Sequence, residues 1–252
     1  MKIGLCTGLD NLELTQKLGF DYIECMVSAI ASLSDGEFAK TQDIVKASPI
    51  KVERVNVLFP RTIKLLGPEK DQKAIDEYLE KAFARVSSLG ARVVVFGSGA
   101  ARAVPQEIPF RQGYRELVAA TKRIGEIAGN HRLTISIEPL NREESNCINS
   151  VKEGAMLEAD AASTSVGLLA DLYHMLRENE SMDNILAVKV LKHTHIALLE
   201  GRGFPVKASQ EVEAFFDALR KIGYDSTMSI EGRTENLEQD AAAALKVLRS
   251  FA

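Results

Sequence analysis

The chain has no tryptophan, and aromatic residues make up only 6% of its 252 residues. With no indole to stack on, ligand recognition has to rest on polar contacts. Cysteine is scarce too. Cys6, Cys25 and Cys147 are scattered, odd in number and without metal-type spacing. That excludes a disulfide framework or a zinc ribbon and points to a reducing, cytoplasmic setting. There is no basic excess: 31 Lys and Arg face 35 Asp and Glu, for a net charge of −4 and a pI near 5.7. A phosphate-backbone binder would carry a basic footprint, so no nucleic-acid partner is expected. No apolar run approaches the ~20 residues of a membrane span. Met1-Lys2 leads straight into a strand-like run with no signal-peptide pattern, so no membrane partner is expected either.

What the chain does have is alternation. Short apolar runs read as strands at Lys2–Thr7, Phe20–Cys25, Val52–Leu58, Ala91–Phe96, Leu133–Ile137, Leu168–Asp171, Leu191–His195 and Ser226–Ile230. Helical stretches follow them. The clearest is Asp71–Leu89, with Ile75, Leu79, Ala82, Phe83 and Val86 on one face and Gly90 at its end. Others are expected over Asn11–Leu18, Gly36–Ala47, Phe110–Ala128, Val151–Ala162, Met182–Val188, Ser209–Ile222 and Leu237–Phe251. The segment holding Arg102 and Pro105 reads as a long loop. Eight strands alternating with about eight helices predict an α/β fold, a single-domain (β/α)8 TIM barrel over residues 1–252. An open doubly wound sheet is the alternative. No linker or low-complexity segment divides the chain.

The last four strands end in chemistry. Ile135-Ser136-Ile137 runs into Glu138, Leu168-Leu169-Ala170 into Asp171, Leu191-Lys192-His193-Thr194 into His195, and Met228-Ser229-Ile230 into Glu231. Barrel sites lie where strands end. Singly, a strand-tip carboxylate often caps the next helix, and a lone histidine is more often structural. Four in succession are harder to explain separately and suggest one divalent metal site. Carboxylate oxygens plus an imidazole suit Mn²⁺ above all, with Mg²⁺, Co²⁺ or Zn²⁺ as alternatives.

These stretches, Ile137-Glu138-Pro139-Leu140-Asn141-Arg142 with Glu144, Asp171-Leu172-Tyr173-His174, His193-Thr194-His195 followed by Gly201-Arg202-Gly203, and Ser229-Ile230-Glu231, resemble the xylose isomerase-like barrel superfamily. Gly19-Phe20-Asp21-Tyr22-Ile23-Glu24 is similar to its second strand. The nearest well-known members are ketose 3-epimerases of the D-tagatose and D-psicose type. The resemblance implies metal ligands Glu138, Asp171, His195 and Glu231, with Glu138 and Glu231 also the acid/base pair. It implies that His174 and Arg202 hold the substrate's reacting oxygens and that Glu144 binds near them. The arginine stands about one position later than in the epimerases, which makes a solvated loop charge the competing reading. Glu24 is a candidate substrate contact or the partner of a buried cation. Arg61 and Arg102 are candidates to grip an anionic tail, with surface ion pairing as the alternative.

The chemistry implied is proton transfer. A ketose carbonyl and its neighbouring hydroxyl, chelated by a metal, acidify the C–H between them. One glutamate takes that proton to leave a cis-enediolate, and a second acid returns one on the opposite face. The expected function is therefore a metal-dependent epimerase or isomerase of a ketose sugar or sugar phosphate, free to associate as dimer or tetramer. Alternatives of the same fold are a hydroxypyruvate or aldose–ketose isomerase, an inosose dehydratase and a non-catalytic sugar-binding barrel. A nuclease of the endonuclease IV type, with its trinuclear zinc, needs more histidines than the four present (His131, His174, His193 and His195).

Overall fold

The alternation resolves into eight parallel strands, closed on themselves. In the computed structural model, which describes residues 1–188 and 190–252, these are β1 (Lys2–Cys6), β2 (Tyr22–Met26), β3 (Lys51–Asn56), β4 (Val93–Phe96), β5 (Thr134–Ile137), β6 (Val166–Asp171), β7 (Leu191–Ile196) and β8 (Thr227–Ile230). Each pairs with its neighbour in sequence, and β1 returns to β8 in parallel register, Lys2 opposite Thr227 and Leu5 opposite Ile230. The sheet has no free edge, so every strand C-terminus opens on one face of the barrel.

The helices between strands supply the outer layer. Gln72–Ser88 turns Ile75, Leu79, Ala82, Phe83 and Val86 inward. Its N-terminus is capped by Asp71, whose carboxylate accepts from the Ala74 N–H. Phe83 is wholly buried, so Phe83→Ala would cost about 3–5 kcal/mol. No helix among the described residues is long and apolar enough to cross a membrane.

Several boundaries differ from expectation, each for a local reason. The third strand stops at Asn56 rather than Leu58, because Val57 takes a left-handed φ of 47° that ends the ladder. The segment expected to be a loop around Arg102 contains a single helical turn, Gly99–Arg102, too short to show a period. Two further short helices, Val27–Ser32 and Leu172–Arg177, start directly at strand ends. The helix expected over 182–188 is confined to Asp183–Leu186. Two register shifts also matter. One lies between Ile23 and Glu24 on β2, the other between Leu168 and Leu169 on β6. Such irregularities re-aim the side chains beyond them. Here those side chains include Glu24 and Asp171.

Candidate functional site

Four donors meet above the barrel. Glu138 just beyond β5, Asp171 at the end of β6, His195 in β7 and Glu231 just beyond β8 place one ligand atom each within 4.8 Å of the others. His195 Nδ1 lies 2.9 Å from Glu138 Oε1 and 3.6 Å from Glu231 Oε2. Glu138, Asp171 and His195 are buried. Asp171 serves twice: Oδ1 accepts from the Tyr173 N–H and caps the helix that follows. Its Oδ2 is buried with no hydrogen-bond partner among the described residues. The capping and the metal-type reading of this strand tip are thus compatible, because each oxygen does one job.

Glycine makes room for this. A Cβ on Gly97 would lie 2.2 Å from Glu138 Oε2. The Gly97-Ser98-Gly99 turn thus gives space to the glutamate itself. Glu231 is held from two sides. Asn56 Nδ2 donates to its Oε1 at 2.9 Å, and Arg202 Nη2 donates to its Oε2. Asn56 went unrecognised in the sequence, where an Asn at the end of a strand carries no signal of its own.

The two glutamates sit in opposed electrostatic settings. Burial pushes both carboxyls up. At Glu138 the hydrogen bond and charge of His195 outweigh burial, and the group is held below the ordinary carboxylate range. At Glu231 burial prevails, aided by the negative charge of Glu138, and the group is pushed up.

A cavity of about 350 Å³ opens beside the cluster, lined by Phe59, Arg61, Glu138, His174, Arg202 and Glu231 among others. His174 is pinned by Asn141, whose backbone N–H donates to Nδ1 at 3.1 Å. With Nδ1 accepting, the ring proton sits on Nε2. That Nε2 is buried without a partner among the described residues and lies 3.5 Å from Asp171 Oδ2. Arg202 lies over the Tyr173 ring, 4.7 Å from its centroid, and reaches Glu144 Oε1 at 3.4 Å. Glu144 also accepts from Asn141 Nδ2 at 3.1 Å. His174, Arg202 and Glu144 therefore come together on one wall. The one-residue offset in the loop does not carry Arg202 away, since Gly201 and Arg202 both take positive φ, 62° and 53°, and turn the chain back.

Two expected substrate contacts are placed elsewhere. Arg102 is fully buried. Its Nη1 donates to Phe96 O at 3.1 Å and its Nη2 to Glu138 O at 2.6 Å. The helical turn at 99–102 swings it beneath the strand ends, so it grips backbone and no anionic tail. Glu24 is also fully buried, and its oxygens are taken up by His193, His195 and Ser229. It does not line the cavity beside the cluster and instead borders a second one, of about 430 Å³, together with Cys6, Asn56 and Glu231. Arg61 alone of the two candidate anion-binding arginines lines the cavity.

Comparison with known proteins bears on the fold and the family. The family model described as xylose isomerase-like TIM barrel matches residues 12–251. An L-ribulose 3-epimerase of Mesorhizobium japonicum is 28% identical over 240 residues, covering 92% of this chain and 79% of that one. A D-psicose 3-epimerase of Agrobacterium fabrum is 25% identical over 228 residues, covering 87% and 77%. A crystal structure of a D-psicose 3-epimerase in the presence of D-fructose superimposes with a TM-score of 0.88 at 22% identity, covering 100% of this chain and 99% of that one. That likeness speaks to the fold. By the match over nearly its whole length, the chain belongs to the xylose isomerase-like TIM barrel family.

Proposed function

We propose that this chain is a divalent-metal-dependent ketose epimerase acting at C3. The observation that carries the reading is the convergence of Glu138, Asp171, His195 and Glu231 within 4.8 Å. The donor set passes a test of fit. Asp171 Oδ2 is a buried carboxylate oxygen with no hydrogen-bond partner among the described residues, Arg202 Nη2 standing 3.9 Å away, an arrangement that costs free energy unless a cation or donor comes closer. Three carboxylates and one imidazole suit Mn²⁺, Mg²⁺ or Co²⁺. When bound, such an ion supplies Lewis acidity toward a carbonyl and its neighbouring hydroxyl.

The protein's own groups do the rest. His174 presents its Nε2–H to a substrate oxygen. Arg202, braced on Tyr173 and tied to Glu231 and Glu144, presents the second donor to the reacting oxygens. Glu138 and Glu231 stand at the ends of β5 and β8, so a substrate bound between them meets one carboxyl on each face. One takes the proton from the carbon beside the carbonyl. The other returns a proton to the opposite face of the planar centre, inverting it.

The cavity wall favours a neutral sugar. Glu138, Glu143, Glu144 and Glu231 line it against Arg61 and Arg202, and Arg202 is engaged with Glu231 and Glu144. Of the two candidate grips for a phosphate, only Arg61 remains. Chromatography of D-fructose, D-psicose, D-tagatose, D-sorbose and L-ribulose after incubation with Mn²⁺-loaded protein tests the reading. Formation of the C3 epimer, lost on chelation and recovered on adding Mn²⁺, is expected. Aldose formation with no C3 epimer would replace the reading with an aldose–ketose isomerase.

A further inference from the structure

Below the four-donor cluster lies a second layer of buried polar groups. Glu24 sits at its centre with no solvent exposure. His195 Nε2 is 3.0 Å from Glu24 Oε1, and His193 Nε2 is 2.9 Å from Glu24 Oε2. Ser229 Oγ donates to Oε2 at 2.5 Å. Tyr22 lies 2.7 Å from Ser229 Oγ. Because the serine proton is committed to Glu24, the tyrosine must be the donor. On the other side Arg54 Nε donates to Thr227 Oγ1 at 3.0 Å, and that hydroxyl lies 2.8 Å from His193 Nδ1. His193 Nδ1 also lies 3.0 Å from the Thr227 carbonyl oxygen, which can only accept. The Nε2 atoms of both imidazoles and the Ser229 hydroxyl converge on the Glu24 carboxylate.

We infer that Glu24 is a positioning residue for the metal centre: by accepting the Nε2–H of His195 it fixes that ring so that Nδ1 faces Glu138 and Glu231 as the ligating atom. The inference rests on the metal reading given above. A carboxylate that accepts the far N–H of a ligating imidazole sets its tautomer, orients the ring and raises its basicity. The register shift between Ile23 and Glu24 supplies the local means, directing this side chain inward from β2 to meet β7 and β8.

A rival occupant exists for the same place. Cys6, Glu24 and His195 lie close enough to hold an ion themselves. The Glu24 carboxylate is already engaged by His193, His195 and Ser229, which argues for orientation and against a second ion.

The test uses the intact protein stripped of metal and needs no turnover. Mn²⁺ titration followed by electron paramagnetic resonance gives the affinity and stoichiometry. One ion per chain is expected, and Glu24→Gln should weaken binding about 10- to 100-fold, because an amide cannot accept from both imidazoles at once. In parallel, ¹⁵N NMR of the histidines in Zn²⁺-loaded native protein should show His195 with its proton on Nε2, assigned by loss of the signal in His195→Asn. Native affinity in Glu24→Gln, a proton on His195 Nδ1, or two ions per chain would each overturn the inference. If Glu24→Gln does not fold, the tautomer in the native protein decides alone. Native protein that binds no Mn²⁺ overturns the metal reading along with it, whereas native binding left unchanged in Glu24→Gln overturns only this inference.

Discussion

Glu138 and Glu231 face the same nitrogen: Nδ1 of His195 lies 2.9 Å from an oxygen of the first and 3.6 Å from an oxygen of the second. The two carboxyls stand on strands separated by β6 and β7 around the barrel. Their environments push their proton affinities apart. If they are the acid and the base, Glu138→Gln and Glu231→Gln should each lower kcat by more than ~100-fold. Steady-state turnover with Mn²⁺ present checks this, and near-native turnover in either variant would remove that residue from the pair.

Gly97 is predicted to matter through Glu138. A methyl group there would meet Glu138 Oε2 at 2.2 Å, and the carboxylate would have to move. A displacement of about 1 Å at a reacting group costs on the order of 100-fold. Gly97→Ala should therefore lose most activity while keeping its circular dichroism and most of its thermal stability. Full activity would show that the Glu138 carboxyl can move freely.

Arg102 should behave as a structural residue. Its guanidinium satisfies two buried carbonyls, Phe96 O and Glu138 O. Arg102→Met would leave both unpaired, a loss of about 2–4 kcal/mol, visible as a lower urea midpoint. The ratio of KM values for a ketose and its phosphate should not change. A selective rise in KM for the phosphate would restore Arg102 as an anion contact.

The pH profile should respond to Arg202. Burial raises the Glu231 carboxyl, and the arginine's charge opposes that rise. Removing the charge in Arg202→Met favours the protonated form further. Where the ionised form is needed, the acid limb of kcat moves to higher pH, and Arg202→Lys should move it less. A shift toward lower pH, or none, contradicts the coupling.

The parts legible in the sequence are those in which one residue and its neighbours carry the signal. An apolar run broken by a carboxylate marks Glu138 or Glu231 as a strand tip, and eight such runs with intervening helices imply closure. Contacts made across the barrel were not legible. Glu24 meets partners on β7 and β8, more than 160 positions away, and no spacing within Tyr22-Ile23-Glu24 encodes them. Arg102 was misplaced because a four-residue helical turn has no periodicity, so its side chain looked free to point outward. Asn56 carries no pattern until β3 and β8 bring it to Glu231.

The central claim is proton transfer at C3, and the most direct test is exchange with solvent. Metal-stripped protein reloaded with Mn²⁺ would be incubated in D₂O with the ketoses, hydroxypyruvate and ketose phosphates, the Mn²⁺ then chelated, and the sugars read by NMR. Deuterium at C3 of an unphosphorylated ketose, absent without metal, is the expected result. Deuterium confined to C1, or no metal-dependent exchange with any of them, would contradict it.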